Sequence, residues 1–112
     1  MAGRYWNNCA QAGANVASYD SGKVWNNCGM IGGHVATYGD GKIWDNCAAI
    51  GNPVATYGDG KIWNNCAKIG FPVASYGGGR IWDNGFEIGG AIASYDGDDD
   101  GAAATYAMLN LF

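Results

Sequence analysis

The sequence predicts an all-β protein made of short tandem repeats, and three observations carry that prediction. Trp6, Trp25, Trp44, Trp63 and Trp82 recur at a constant spacing of 19 residues. Each interval holds two runs rich in β-branched and aromatic residues, such as "KIWDN" and "PVATY", which is strand composition. Between the runs lie Gly- and Asp-bearing pieces, "GDG" and "CAAIG", where glycine supplies positive φ and aspartate bonds back to its own backbone.

Aligned on the tryptophans, the other columns fall into register without gaps. They are Arg4, Lys23, Lys42, Lys61 and Arg80; Asn8, Asn27, Asn46, Asn65 and Asn84; Gly13, Gly32, Gly51, Gly70 and Gly89; Val16, Val35, Val54, Val73 and Ile92; and Tyr19, Tyr38, Tyr57, Tyr76 and Tyr95. One repeat domain, 1–112, divides into repeats 4–22, 23–41, 42–60, 61–79 and 80–98, with 99–112 as a C-terminal half-repeat or cap. In that tail "AATY" of Ala103 to Tyr106 echoes "VATY" of Val54 to Tyr57, and only "GAAATYAMLNLF" has helix-compatible composition.

Two architectures suit two strands in 19 residues. In a hairpin array, a small barrel or propeller-like ring, equivalent residues stand roughly 10 Å apart; in a β-solenoid they stack about 4.8 Å apart. Five stacked cations at the closer spacing repel one another, which favours the hairpin array and leaves the solenoid as the alternative. In the hairpin array the strand near Trp6 can pair with the C-terminal half-unit and close a ring.

The pattern G-[KR]-[IV]-W-[ND]-N…I-G, present as "GKIWDNCAAIG", resembles the short tandem β-repeats of bacterial surface and phage proteins, whose version often has Tyr in the Trp position. The resemblance spans nearly the whole chain and implies no single activity. The repeat is also similar in size to choline-binding wall repeats, but their adjacent aromatics "WYY" are absent here.

Composition narrows function further. The chain has 112 residues, 48% of them hydrophobic, with 20 Gly and a net charge of -4, the wrong sign for a general nucleic-acid or anionic-membrane binder. No stretch of 18 apolar residues is present, so no membrane insertion is expected. The start "MAGRYWNN" lacks a charged region followed by an apolar run, so no uncleaved signal peptide is expected. An extracellular or surface-exposed setting is favoured.

Alternation sorts Ile43, Asp45 and Cys47 to one side of a strand and Lys42, Trp44 and Asn46 to the other; Ala55 and Tyr57 oppose Val54 and Thr56. Tyr5, Val24, Ile43, Ile62 and Ile81 are candidate core, and Ile31, Ile50, Ile69 and Ile88 are grouped with them. The candidate ligand site in each copy is an aromatic platform with polar neighbours: Lys23, Trp25, Asn27 and Tyr38; Lys42, Trp44, Asn46 and Tyr57; Lys61, Trp63, Asn65 and Tyr76; Arg80, Trp82, Asn84 and Tyr95. Such a platform suits a sugar, whose C–H groups pack on the ring while amide and ammonium groups bond its hydroxyls. The competing reading makes Trp and Tyr a second hydrophobic layer with Lys packed over Trp.

Cys9, Cys28, Cys47 and Cys66 form a column completed by Gly85, read as small buried thiols. In "DGDDDG" the alternate Asp96, Asp98 and Asp100 match the first half of a calcium loop, but its twelfth position is Ala107 where a Glu belongs. His34 is the only histidine and falls in a turn column. No Ser-His or Cys-His pairing recurs, so an enzyme is not expected and no cofactor is implied beyond that calcium. The leading expectation is a non-enzymatic, lectin-like surface module that binds glycans multivalently. The alternatives are a self-assembling homo-oligomer or filament, suggested by the apolar tail Met108 to Phe112, and ice binding through the column Ser18, Thr37, Thr56, Ser75 and Ser94.

Overall fold

The computed structural model describes residues 3–111, so Met1, Ala2 and Phe112 lie outside the described residues. Ten short strands run in chain order: β1 (Gly3–Trp6), β2 (Ala17–Asp20), β3 (Lys23–Trp25), β4 (Ala36–Gly39), β5 (Lys42–Trp44), β6 (Ala55–Gly58), β7 (Lys61–Trp63), β8 (Ala74–Gly77), β9 (Arg80–Trp82) and β10 (Ala93–Asp96). One helix follows, α1 (Asp99–Asn110). Each strand pairs antiparallel with its neighbours in sequence, and β1 pairs with β10 to close a barrel. Antiparallel pairing throughout excludes the solenoid, because stacked coils pair in parallel.

The hairpins straddle the repeat boundaries: the second strand of one copy turns into the first strand of the next. Residues Asp40 and Asp59 followed by glycine make two-residue turns, with φ of 52° at Asp40 and 78° at Gly41. Two successive positive φ angles define the mirror-image turn whose twist matches the strands it joins, and Asp-Gly is its preferred sequence. The fifth hairpin has no covalent turn, being made of β10 and β1 with Tyr5 opposite Tyr95. The closing partner of β1 is therefore the fifth repeat's own second strand and not the C-terminal tail. Arg4 fastens this seam: its Nε and Nη2 donate to Asp96 Oδ2 at 3.0 and 2.8 Å, and its backbone N–H donates to Oδ1 at 2.7 Å.

The tail is not a sixth half-repeat. Ala103 to Tyr106 lie within α1, and residues Gly101 to Ala107 are buried. The helix packs against strands all round the ring, β1, β2, β3, β4, β6, β7 and β8 among them, so it fills the bore and does not merely cap an end. Geometry explains its composition. Ten strands about 4.8 Å apart at the usual barrel tilt make a wall of roughly 10 Å radius. A helix with side chains has a radius of about 5–6 Å, so most of the side chains facing each other across the gap have to be thin. The helix supplies Gly101, three alanines, Thr105 and Ala107 with one large residue, Tyr106; the wall supplies Ala17, Ala36, Ala55, Ala74 and Ala93, one Tyr per copy from the Tyr19 column, and Val24, Ile43, Ile62 and Ile81, whose place in the first copy is taken by Tyr5. Asp98 caps the helix, its Oδ2 accepting from Gly101 N–H at 3.2 Å. No helix among the described residues is long and apolar enough to cross a membrane.

The molecule is a disc of 35 × 35 × 21 Å. Its width comes from the five long connections, which fold back over the outside of the wall, so that the architecture has three shells: helix, barrel and a girdle of loops. Ile31, Ile50, Ile69 and Ile88 belong to that girdle. They are 73, 68, 69 and 65% exposed, contrary to the core placement expected from their chemistry, because they sit in loops where strand alternation does not apply.

Candidate functional site

The outward row of the barrel carries the cation, hydroxyl and Trp columns. Register places each hydroxyl between a cation on one neighbouring strand and a Trp on the other: Thr56 lies opposite Lys42 and Trp63, and Ser75 opposite Lys61 and Trp82. A long loop then lies over each hydroxyl. The Oγ of Ser18, Thr37, Thr56 and Ser75 donates to the carbonyl of Asn27, Asn46, Asn65 and Asn84, nine residues on. Ser94 donates to Asn8 O at 2.7 Å and completes the circle across the seam. Thr56 and Ser75 are left 2 and 1% exposed. This removes the flat hydroxyl array that ice binding needs.

Each loop is braced by its own conserved-in-repeat residues. Asn46 Oδ1 accepts from the N–H groups of Ala48 and Ile50 at 3.1 and 3.0 Å, while Nδ2 donates to Ile50 O at 2.9 Å. Asn27, Asn65 and Asn84 repeat the pattern. Trp25, Trp44, Trp63 and Trp82 donate Nε1–H to the carbonyl of the glycine seven residues later. Neighbouring loops also touch. His34 Nε2 lies 2.7 Å from Cys47 O and its ring packs edge-on to Trp25 at 5.8 Å. Among the described residues, the cation stacked on a Trp is Arg4, 5.5 Å from the Trp6 ring centre.

The expected platform is therefore not assembled. Tyr38, Tyr57, Tyr76 and Tyr95 point into the bore, on the opposite side of the wall from Trp25, Trp44, Trp63 and Trp82. Burial pushes their phenols up, Tyr57 to about 12, with the carboxylates at the start of α1 adding to the effect. Tyr95 Oη donates to Asp99 Oδ1 at 2.7 Å, and Tyr19 Oη donates to Asp96 O. The Asn side chains are consumed in holding their loops. What stays at the surface is the cation column, Lys23, Lys42 and Arg80 exposed and Lys61 half-buried, together with the half-buried rings of Trp25, Trp44, Trp63 and Trp82.

Lys42, Lys61, Arg80 and Arg4 each border one copy of a repeated cleft. It lies between the end of a strand pair and the loop of the next copy around the ring, with the hydroxyl as its floor. One cleft is lined by Asp40, Gly41, Lys42, Thr56, Cys66, Ala67 and Lys68, with a volume near 200 Å³. Its equivalents hold Asp59, Lys61, Ser75 and Glu87 at about 310 Å³, Gly78, Arg80, Ser94 and Gln11 at about 260 Å³, and Arg4, Asp96, Ser18 and Met30 at about 490 Å³. These volumes straddle the lower end of small-molecule sites. Gln11, Met30, Lys68 and Glu87 are residues that sequence reasoning passed over. Their signal is that their column changes chemistry in every copy while its neighbours barely change.

The cysteines are exposed and unpaired, not buried, and Cys9, Cys28 and Cys66 stand in clefts. The calcium reading of Asp96, Asp98 and Asp100 finds no shared centre. Asp96 is held by Arg4, Asp98 caps α1, and Asp100 lies in its first turn, its carboxyl pushed up by burial and then by Asp98 and Asp99. Among the described residues no group of three or more His, Cys, Asp or Glu side chains is placed to hold a metal ion. Comparison with protein-family models, with curated proteins and with solved structures gives no match.

Proposed function

We propose that this protein is a non-enzymatic carbohydrate-recognition module that works by multivalency, with its ligand sites in the clefts and not on a Trp–Tyr platform. The observation that carries the reading is the recurrence of one cleft around the disc, each copy pairing a cation with turn backbone and a hydroxyl floor. Ammonium and guanidinium groups donate to sugar hydroxyls, and backbone groups of a tight turn complete the bonding. Single clefts of this size bind weakly; several on one rim gain strongly on a surface that presents many sugars. A glycan array read alongside solution titration tests this. Binding on the dense array and weak millimolar binding of free sugar are expected, and Lys42→Ala together with Lys61→Ala should cut array binding at least tenfold. Absence of binding to any glycan at any density refutes the reading.

A second reading, assembly with further copies, is favoured by the girdle of exposed apolar side chains. Phe71 is 86% exposed, and Phe86 and the four loop isoleucines are 65% or more, an amount of apolar surface that marks association faces. Sedimentation across a wide concentration range checks it. Ile50→Asp with Ile69→Asp should abolish any association, and a wild-type chain that stays monomeric throughout counts against it.

A further inference from the structure

The four clefts share a frame but differ in charge, and one loop-tip residue in each, Gln11, Met30, Lys68 or Glu87, sets the difference. Gln11, Met30, Ala49, Lys68 and Glu87 occupy the same place in the five loops, each with φ between 52 and 58°. That left-handed conformation favours glycine, and the neighbouring Gly13, Gly32, Gly51, Gly70 and Gly89 take it with glycine. At this one position every copy keeps a side chain in spite of the strain, and strain of that kind persists where the side chain is used. Met30 and Glu87 donate their backbone N–H to the Ser18 and Ser75 hydroxyls at 3.1 Å, so the loop tip is anchored and the side chain projects along the cleft.

Lys68 is the informative copy. Its ammonium lies across two glycines, 3.1 Å from where a Cβ on Gly41 would be and 3.0 Å from one on Gly58. Gly58 has no positive φ, so the strand does not demand glycine there; its bareness leaves room for the lysine. The corresponding positions in two other copies are Asp20 and Asp96. Lys42 lines the same cleft, and among the described residues no carboxylate comes within ion-pair distance of Lys42 or Lys68. Among the described residues Asp40 is the only acid lining it. The neighbouring cleft is the reverse, with Asp59 and Glu87 against Lys61.

We infer that the cleft formed by Lys42 and Lys68 is an anion-selective subsite that takes a sugar bearing a carboxylate or sulfate ester, and that the loop-tip residue sets the charge preference of each cleft. This rests on the carbohydrate reading above and deepens it. The anionic group sits between the two ammonium groups, each a charge-assisted donor, and the pyranose hydroxyls extend toward the Gly41 turn. The Glu87 cleft rejects the same group by like-charge repulsion. The Arg80 cleft, where Gly78 replaces the turn aspartate, is the other place an anion is expected.

The test is a residue-resolved NMR titration of the full chain with glucuronic acid, N-acetylglucosamine 6-sulfate, N-acetylglucosamine and inorganic sulfate. Wild type should show shifts at Gly41, Lys42, Ala67 and Lys68 with the two anionic sugars at roughly tenfold lower concentration than with the neutral one, the weight of one charge-assisted bond. Lys68→Glu should erase that preference and Lys68→Arg should keep it. Gly58→Asp, which leaves both lysines in place but supplies an internal carboxylate, should erase it as well. Glu87→Lys should create an anion preference at Gly60 and Lys61. Neutral and anionic sugars binding equally, or a preference that survives Lys68→Glu, overturns the inference while leaving the carbohydrate reading intact. Inorganic sulfate matching the sulfated sugar overturns the sugar assignment. Silence at every cleft with every sugar overturns both.

Discussion

Replacing Gly101 with alanine sets helix propensity against packing and so tests the position of α1. Gly101 has ordinary helical backbone geometry, and in an exposed helix alanine is better than glycine by about 1 kcal/mol. In the bore, a Cβ at this place would stand 1.9 Å from Tyr19 Cδ2, 2.3 Å from Cε2 and 2.7 Å from Tyr38 Oη. Restoring an ordinary carbon contact requires about 1.5 Å of movement. Tyr19 is fully buried and its hydroxyl is held by the Asp96 carbonyl at 2.5 Å, so the ring has little room to retreat. Overpacking of this severity costs about 3 kcal/mol. Offset by the propensity gain, the net loss is about 2 kcal/mol, or roughly 8 °C in Tm. Urea denaturation should show a lower midpoint with an unchanged slope. A midpoint that rises for Gly101→Ala would falsify the packing of α1 inside the barrel. In a Tyr19→Ala background the added methyl should become neutral or stabilising, a coupling that a helix lying outside the wall does not produce.

Four further outcomes follow from the same geometry. Asn46→Ala removes three hydrogen bonds from one loop and should cost about 1–2 kcal/mol; limited proteolysis should then cut between residues 46 and 54, whereas cutting elsewhere argues against the bracing role. Cys9, Cys28, Cys47 and Cys66 are exposed, so a thiol reagent should modify four cysteines in the native protein, and fewer than four before unfolding contradicts the loop placement. The bore tyrosines have folded values above the free phenol's, Tyr57 near 12, so their contribution to stability is present below about pH 10 and is lost as pH rises through 12; phenolate absorbance and loss of near-ultraviolet dichroism should appear together, and ionisation near pH 10 with dichroism intact refutes their burial. Asp96→Ala severs the Arg4 contacts at the seam, but the pair is largely exposed, with side chains 61 and 37% accessible, so the loss should be no more than about 1 kcal/mol, and a larger drop means that the seam depends on that contact more than its exposure allows.

Much of the fold was legible because it is periodic. The Trp column fixed the repeat, the Asp-Gly turns fixed the hairpins, and the like charges at Lys23, Lys42 and Lys61 favoured hairpins over stacked coils. Alternation also put Ala55 and Tyr57 on one side together. What it lacked was a rule for the loops. The residues from Asn46 to Val54 are neither strand nor helix, so the burial of Ile50 could not be inferred from its apolar character, and a carboxamide that bonds three loop groups looks in sequence like one free to bind a ligand. The position of α1 was hidden for another reason. "GAAATYA" has too little apolar volume to announce a core element, and its smallness becomes intelligible only once the bore is known. The clefts were obscured because the repeat drew attention to what stays constant, whereas the residue that distinguishes them, Gln11, Met30, Ala49, Lys68 or Glu87, is the one that changes.

The bond from Ser94 to Asn8 has a counting consequence. An open stack of repeats lengthens or shortens one unit at a time, because each unit meets only its neighbours. Here the last unit must meet the first, and the gauge of the bore is set by how many units stand in the circle. Deleting one 19-residue unit leaves eight strands, a wall whose interior is filled by its own side chains, and α1 has nowhere to go. Adding one widens the gap around a helix already stripped to alanine. Five is therefore the only tally at which the wall, its tyrosines and this helix agree, and a lineage that changes its number of repeats has to rewrite residues 99–112 at the same step.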